Sequence, residues 1–262
     1  MRPTERSSAP ASRLRLERVL CVGRGHAFYG PSGSFASQMS HAILKLKVRR
    51  GGFPDALSAL MAVRRKIMDL DARAAFTGGR AVDFARVQAA LRQAEIFDRD
   101  APKRLAGRSR SNFDTTIEPW SPFQKYFKAT PPPRRRLWTP EGPCHGLRHP
   151  PLVIQRLPNG RIRIRHSSSG DIPKVLSHLG NLWDRALAAA DSREALRLIA
   201  EFEWWFFAAN PAGRCGASLG NALALALSLK CGLPPRRRFY HLDFHAFKRE
   251  PRAYVKWRMR IG

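Results

Sequence analysis

The chain contains 262 residues, of which 44% are hydrophobic and 10% aromatic; this composition can bury a core and excludes a wholly disordered protein. Lys and Arg number 47 against 20 Asp and Glu, giving a formal net charge of +27. That excess excludes an acidic solvating protein and favours a polyanionic partner such as nucleic acid, a nucleotide or an anionic lipid. Arginine enrichment also follows from a GC-rich genome, so the charge alone does not establish binding.

The four cysteines are far apart in sequence, with no C-x-x-C motif, and stand at Cys21, Cys144, Cys215 and Cys231. This pattern fits neither a disulfide scaffold nor a structural zinc site, so we expect no metal centre. The longest apolar runs, at 204–209 and 222–229, are far too short to cross a bilayer, so we expect no membrane span.

The first 40 residues are rich in Arg, Ser and Gly, and Glu5 and Glu17 are their only acids. They lack the apolar core of a secretory signal. We therefore predict a basic, disordered leader over residues 1–40. It is either a secretion leader that is threaded unfolded, or an ordinary disordered tail. The chain is accordingly expected to be secreted into a host cell by a route that needs no signal peptide, or to be cytoplasmic.

Residues 41–100 are predicted to hold a helical hairpin. Apolar residues recur at spacings of three and four from Ala56 to Leu70, and again from Phe84 to Ala94. A Thr-Gly-Gly sequence at 77–79 separates the two stretches. Residues 101–150 contain a Pro-Pro-Pro-Arg-Arg-Arg run and further prolines, which disfavour helix. They are predicted to be a linker.

A functional domain is predicted over residues 151–262, beginning with a β-hairpin. Two alternating segments, 152–157 and 161–165, flank Pro158-Asn159-Gly160, a sequence that suits a tight turn. The alternation places Arg161, Arg163 and Arg165 on one face of the second strand. These three guanidinium groups would match a row of phosphates, or they form a solvated face that protects an edge strand.

A helix–loop–helix is predicted after the hairpin. Asp191 and Glu194 form a capping-box pattern, and the apolar positions that follow recur at helical spacing until Pro211 requires the helix to end near Asn210. A second apolar helix runs to Lys230, and Gly232 stands where a C-terminal cap is expected. The predicted fold is therefore mainly α with a small β-hairpin: a helical hairpin, a C-terminal helix–loop–helix and a disordered basic N-terminus.

The loop between these two helices is the best candidate for a phosphate site. Gly213 and Gly216 would let the backbone approach a ligand, the second helix begins here with free N–H groups, and Arg214 adds a guanidinium. The competing interpretation is a tight turn between antiparallel helices with Arg214 in solvent.

The run Glu203 to Arg214, EWWFFAANPAGR, resembles the helix–loop–helix core of Fic-type nucleotidyl-transfer domains and of their degenerate relatives in bacterial effectors and toxins. The resemblance implies an effector that binds a nucleotide or phosphate, with a nucleoside triphosphate and Mg²⁺ as cofactor and a group transfer as its reaction. The family has its catalytic histidine just before the proline, where this chain has Ala209 and Asn210. Nucleotide or phosphate binding is therefore better supported than transfer, which needs a base.

Three residues are candidates for acid–base catalysis: Glu203, upstream of the loop, and His241 and Asp243 beyond the second helix. In an extended segment His241, Asp243 and His245 would share one face. The expected partner is a phosphorylated ligand or a host protein. A second hypothesis is a non-enzymatic protein that binds RNA or DNA through the hairpin arginines and Arg236, Arg237 and Arg238, with nearby aromatic residues stacking on bases. A third is an interaction protein whose arginines reflect genome bias.

Overall fold

The computed structural model describes residues 33–48, 51–63, 114–117, 119, 136–138, 147, 150–167, 169–211, 216–235 and 242–261. The described part is mainly helical, as predicted. Its helices are α1 (Gly33–Val48), α2 (53–63), α3 (Ile172–Leu187), α4 (Ser192–Ala209), α5 (Gly216–Lys230), α6 (Leu242–Phe247) and α7 (Pro251–Ile261). None of the described helices is long and apolar enough to cross a membrane.

A four-stranded antiparallel sheet contains the predicted hairpin. Its strands, in the order β1-β4-β3-β2, are β1 (Asp114–Ile117), β2 (Arg136–Trp138), β3 (Leu152–Arg156) and β4 (Ile162–His166). Gly160 has the positive φ of 76° that the turn requires, and the Asn159 side chain accepts a hydrogen bond from the Arg161 amide at 3.2 Å. The hairpin and its Asn-Gly turn are therefore confirmed.

Two predictions about segments differ from the structure. Strands β1 and β2 lie in the stretch predicted to be a linker, and each pairs with one edge of the hairpin. Both strands are too short for their sequences to show an alternation of apolar and polar residues. Helix α1 begins at Gly33, inside the predicted disordered leader, and buries Met39 and Ser40. Residues 1–32 lie outside the described part, as do residues 64–100 with the second helix of the predicted helical hairpin.

Helix α4 lies at the centre of the core. Asp191 caps it by accepting the Glu194 amide at 2.8 Å, and every residue from Phe202 to Ala209 is buried. It is packed against α3, α5, α6 and α7. The aromatic rings of Phe53, Trp183 and Phe202 form a mutual cluster with centroids 5.6–5.9 Å apart, which joins α2 and α3 to this central helix.

Gly220 lets α4 and α5 pack closely. A Cβ atom added at this position would lie 2.7 Å from a ring carbon of Phe207 and 2.8 Å from one of Phe206. Both rings are buried, at 2% and 0% exposure, so neither can move aside freely. Glycine is therefore required here for interhelical contact.

We expect Gly220→Ala to reduce the free energy of unfolding by about 1–2 kcal/mol, because overpacking outweighs the gain in helix propensity. Gly180→Ala in α3 is the matched control, since its added Cβ would meet only Phe53 at 3.9 Å. That control should be stabilising by up to about 1 kcal/mol. Urea denaturation of the three proteins checks this, and equal stability of the two variants would contradict the close packing.

Candidate functional site

The predicted phosphate loop lies between the C-terminus of α4 and the N-terminus of α5. Asn210 ends α4 in the left-handed conformation, with φ 46° and ψ 57°, and its amide donates to the Phe206 carbonyl at 2.9 Å. Asparagine tolerates this conformation better than most residues. Pro211 follows and is buried. Helix α4 therefore ends at the place where the sequence predicts it to end.

Helix α5 begins at Gly216, and residues 212–215 lie outside the described part. Its first turn contains no acidic residue, so no carboxylate of α5 offsets the positive end of the helix dipole. Gly213 and Arg214 lie outside the described residues, and Gly216 is described as the first residue of α5. Their assignment to a phosphate cradle stays a prediction.

The sheet is attached to this end of α4 by a buried histidine. The Nδ1 atom of His166, on β4, donates to the carbonyl oxygen of Ala208 at 2.8 Å. Its ring also packs against Phe247 of α6, with centroids 5.5 Å apart. Since Ala208 lies two residues before Asn210, this bond holds the hairpin next to the start of the loop. Sequence analysis did not identify His166, although a histidine at the buried end of a strand requires a partner.

Glu203 lies in a buried ion pair. Its carboxylate, 2% exposed at the residue level, accepts from Arg258 Nε at 2.8 Å and Nη2 at 3.1 Å, and from the Tyr254 hydroxyl at 3.2 Å. Burial lowers the pKa of Arg258, but the charge and hydrogen bonds of Glu203 outweigh this effect and raise it above its ordinary value. Arg258 and Tyr254 thus fasten α7 to α4.

These contacts bear on the predicted acid–base role of Glu203. All three hydrogen-bond donors come from protein side chains, and the group is inside the core rather than at a surface. A catalytic role for Glu203 stays a prediction, while its structural role is evident from its partners. The sequence signal for this pair was a carboxylate flanked by the aromatic residues Phe202 and Trp204, which requires a cationic partner when it is buried.

The segment predicted to align His241, Asp243 and His245 is not extended. Residues Leu242–Phe247 form α6, and positions two apart on a helix do not share a face. His241 lies outside the described residues. Burial raises the pKa of Asp243 to about 6, and the ring of His245 stacks on Trp257 with centroids 4.5 Å apart. Asp243 and His245 therefore have different surroundings, and their catalytic assignment stays a prediction.

The predicted polyanion-binding residues are only partly described. Ile162 and Ile164 are buried while Arg161 is exposed, so β4 alternates as predicted. Arg163 and Arg165 are half-buried, and each already interacts with other groups of the protein. Residues 236–238 are outside the described part. Within the described ranges, no group of His, Cys, Asp and Glu is arranged to hold a metal ion.

Residues 153–258 match the model of the AvrB_AvrC avirulence protein family. The matched region covers about two fifths of the chain, from β3 through α7. No curated protein matches the chain.

The resemblance to Fic-type domains is wrong, because the family that matches over the residues that suggested it is a different one. The Mg²⁺-nucleotide cofactor and the transfer reaction, which that resemblance alone implied, lose their support. The match does support the broader prediction and indicates a bacterial effector of the avirulence type.

Proposed function

We propose that this protein is a bacterial effector that acts on a host protein inside the host cell, and that it binds a phosphorylated ligand at residues 211–216. The family match supports the effector class. The matched region also includes both helices that flank the loop. The observation that carries the ligand proposal is the junction itself: a left-handed turn at Asn210 followed, after five residues, by the N-terminus of a long apolar helix.

The physical argument concerns the backbone. The first N–H groups of α5 have no partners within the helix, and the helix dipole favours an anion at this end. The sequence adds an arginine at 214 and glycine at 213 and 216, which suit a bidentate contact and a close backbone approach. His166 and the buried core hold the preceding end of α4 in place, so little ordering of α4 is needed when a ligand binds.

We expect Arg214→Ala to lower the affinity for a phosphorylated ligand by about 2–3 kcal/mol, because a charge-assisted contact is lost. Arg185→Ala, an exposed arginine of α3, is the matched control and should bind as wild type does. Isothermal titration with ATP, GTP and inorganic phosphate measures the affinities. If wild type binds none of the three, or if both variants bind equally well, the loop is only a turn.

Nucleic-acid binding through the hairpin arginines is the rival function. The structure favours it less, because Arg163 and Arg165 are half-buried and already engaged with protein groups. A salt titration of RNA or DNA binding separates the two functions. The effector proposal expects at most a shallow dependence of log K on log salt concentration, whereas a nucleic-acid-binding protein has a steep one.

A further inference from the structure

We propose that the groove between α4 and α7 binds a short acidic segment of a partner protein, with an aliphatic side chain of that segment seated on the groove floor. The groove has a volume of about 1030 Å³. Its walls are α4 from Arg193 to Trp205 and one face of α7, and His178 of α3 closes one side. This surface lies along the body of α4, whereas the phosphate loop lies beyond the C-terminus of that helix.

The α7 wall is an amphipathic stripe. Val255 and Met259 are half-buried and form an aliphatic floor, and Arg252, Lys256 and Arg260 stand beside them at helical spacing. Lys256 and Arg260 are exposed. Neither makes an ion pair in the part of the chain that the structure describes. Two cations therefore border an apolar strip without local compensation.

The α4 wall differs in how its charges are used. Arg197 donates to Glu194 at 2.6 and 2.7 Å and to Glu201 at 3.1 Å, so its charge is compensated within the helix. Hydrogen bonding to Arg197 lowers the pKa of Glu194 and outweighs the opposite effect of burial. Arg193 is exposed and, among the described residues, has no ion-pair partner. The groove lining holds five cations against three carboxylates, and the positive excess lies on α7, where Arg252, Lys256 and Arg260 face no carboxylate of that helix wall.

Charge complementarity and the groove floor identify the occupant as a peptide rather than a nucleic acid. Proteins that bind single-stranded nucleic acids stack the bases on exposed aromatic rings. Here Trp205 is 3% exposed, and its ring is already in edge-to-face contact with His178. An acidic peptide needs no exposed ring, because its carboxylates pair with the cations of α7, away from Glu194 and Glu201, and its aliphatic side chain covers Val255 and Met259.

Dimensions agree with a short segment. Helix α7 has 11 residues, which corresponds to a length of about 16 Å, or about five residues of extended peptide. Rigid helices line both sides, so the cations are displayed at fixed spacing. In such a groove a few well-placed side-chain contacts supply most of the binding affinity, rather than a large buried interface area.

The test uses the full chain and a fluorescein-labelled peptide in which Glu and Leu alternate, followed by fluorescence anisotropy. A peptide with Gln in place of each Glu is the ligand control. The groove variant is Lys256→Glu with Arg260→Glu, and its matched control is Lys45→Glu with Lys47→Glu, two exposed lysines of α1. Both double variants change the net charge equally, so any difference between them comes from position.

We expect saturable binding of the Glu peptide, roughly tenfold or greater weakening in the groove variant, and less than a twofold change in the α1 variant. The Gln peptide should bind at least tenfold more weakly than the Glu peptide. Met259→Lys should also weaken the Glu peptide, despite its added positive charge, because the aliphatic floor is lost. Phosphate binding at the loop should be unchanged in all of these variants.

The proposal is overturned if the two double variants weaken binding equally, since the attraction would then be a property of the net charge. It is also overturned if the Gln peptide binds as well as the Glu peptide. A third contradicting result is that the groove variant weakens RNA binding but leaves the binding of the Glu peptide unchanged. Because the phosphate titration uses another ligand and other residues, its failure would leave this result intact.

Discussion

Glu203→Gln will reduce the free energy of unfolding by about 3–5 kcal/mol, because it leaves the charge of Arg258 buried without a counter-ion. Arg258 is only 4% exposed, and in wild type its Nη1 atom already has no hydrogen-bond partner among the described residues. Arg258→Met should cost a similar amount by leaving the carboxylate unpaired. Combining the two substitutions should restore part of the loss, since no unpaired charge then remains.

Glu201→Gln provides the control for this prediction. Glu201 lies two residues away on the same helix and pairs with Arg197 at 3.1 Å, but both side chains are partly exposed. Its substitution should change stability by less than about 1 kcal/mol. Urea denaturation at pH 7 measures all four variants. If Glu203→Gln costs no more than Glu201→Gln, the pair does not hold α7 against α4.

The second large effect is a pH dependence of the free energy of unfolding. It has two contributions, from His178 and Asp243, and one substitution at each position will separate them. Burial, with a contribution from Arg185, lowers the pKa of His178 to about 4. The unfolded chain, with a histidine pKa near 6.5, therefore takes up a proton before the folded protein does. Stability from His178 is complete above about pH 6.5 and is lost as the pH falls towards 4, by about 3 kcal/mol over that window.

Asp243 acts in the opposite direction. Its pKa is raised from 3.8 to about 6 by burial, so between these values the folded protein binds the proton more tightly than the unfolded chain. Its contribution favours the folded state at low pH and is lost as the pH rises through 6. The contributions of His178 and Asp243 to the pH dependence therefore partly cancel in wild type. We expect these two groups together to change wild-type stability little between pH 4 and 6.

Variants should expose each contribution. Asp243→Asn should make stability rise steeply from pH 4 to 6.5, and His178→Gln should make it fall from pH 4 to 6. Denaturation midpoints in urea at closely spaced pH values provide the measurement, and the slope with pH is compared rather than the absolute stability. Identical slopes in wild type and both variants would show that neither group titrates abnormally.

Local sequence patterns predicted the elements whose signals are contained in a few neighbouring residues. The Asn-Gly turn of the hairpin requires a positive φ, which Gly160 supplies, and Asp191 and Pro211 delimit α4. Strands β1 and β2 were missed because the strands with which they pair are distant in sequence. The extended segment expected at 241–245 is helical in its described residues, where its apolar residues pack against α4.

The candidate sites illustrate the same limit. The Glu203 carboxylate could be recognised from its apolar neighbours, but its partners Tyr254 and Arg258 stand more than 50 positions later, and no local pattern connects them. The groove likewise requires residues of α4 and α7 that only the folded chain brings together. The Fic resemblance failed because an apolar helix, a proline and a glycine-containing loop recur in unrelated proteins.

The location of the phosphate site can be tested most directly by amide chemical-shift mapping on ¹⁵N-labelled full chain during titration with ATP and inorganic phosphate. The proposal predicts that the largest shifts occur at Gly213, Arg214, Gly216 and Ala217, with little change at residues 252–260 of α7. Shifts that are confined to the α7 groove, or that spread over all basic surfaces without saturation, would contradict a phosphate site at the N-terminus of α5.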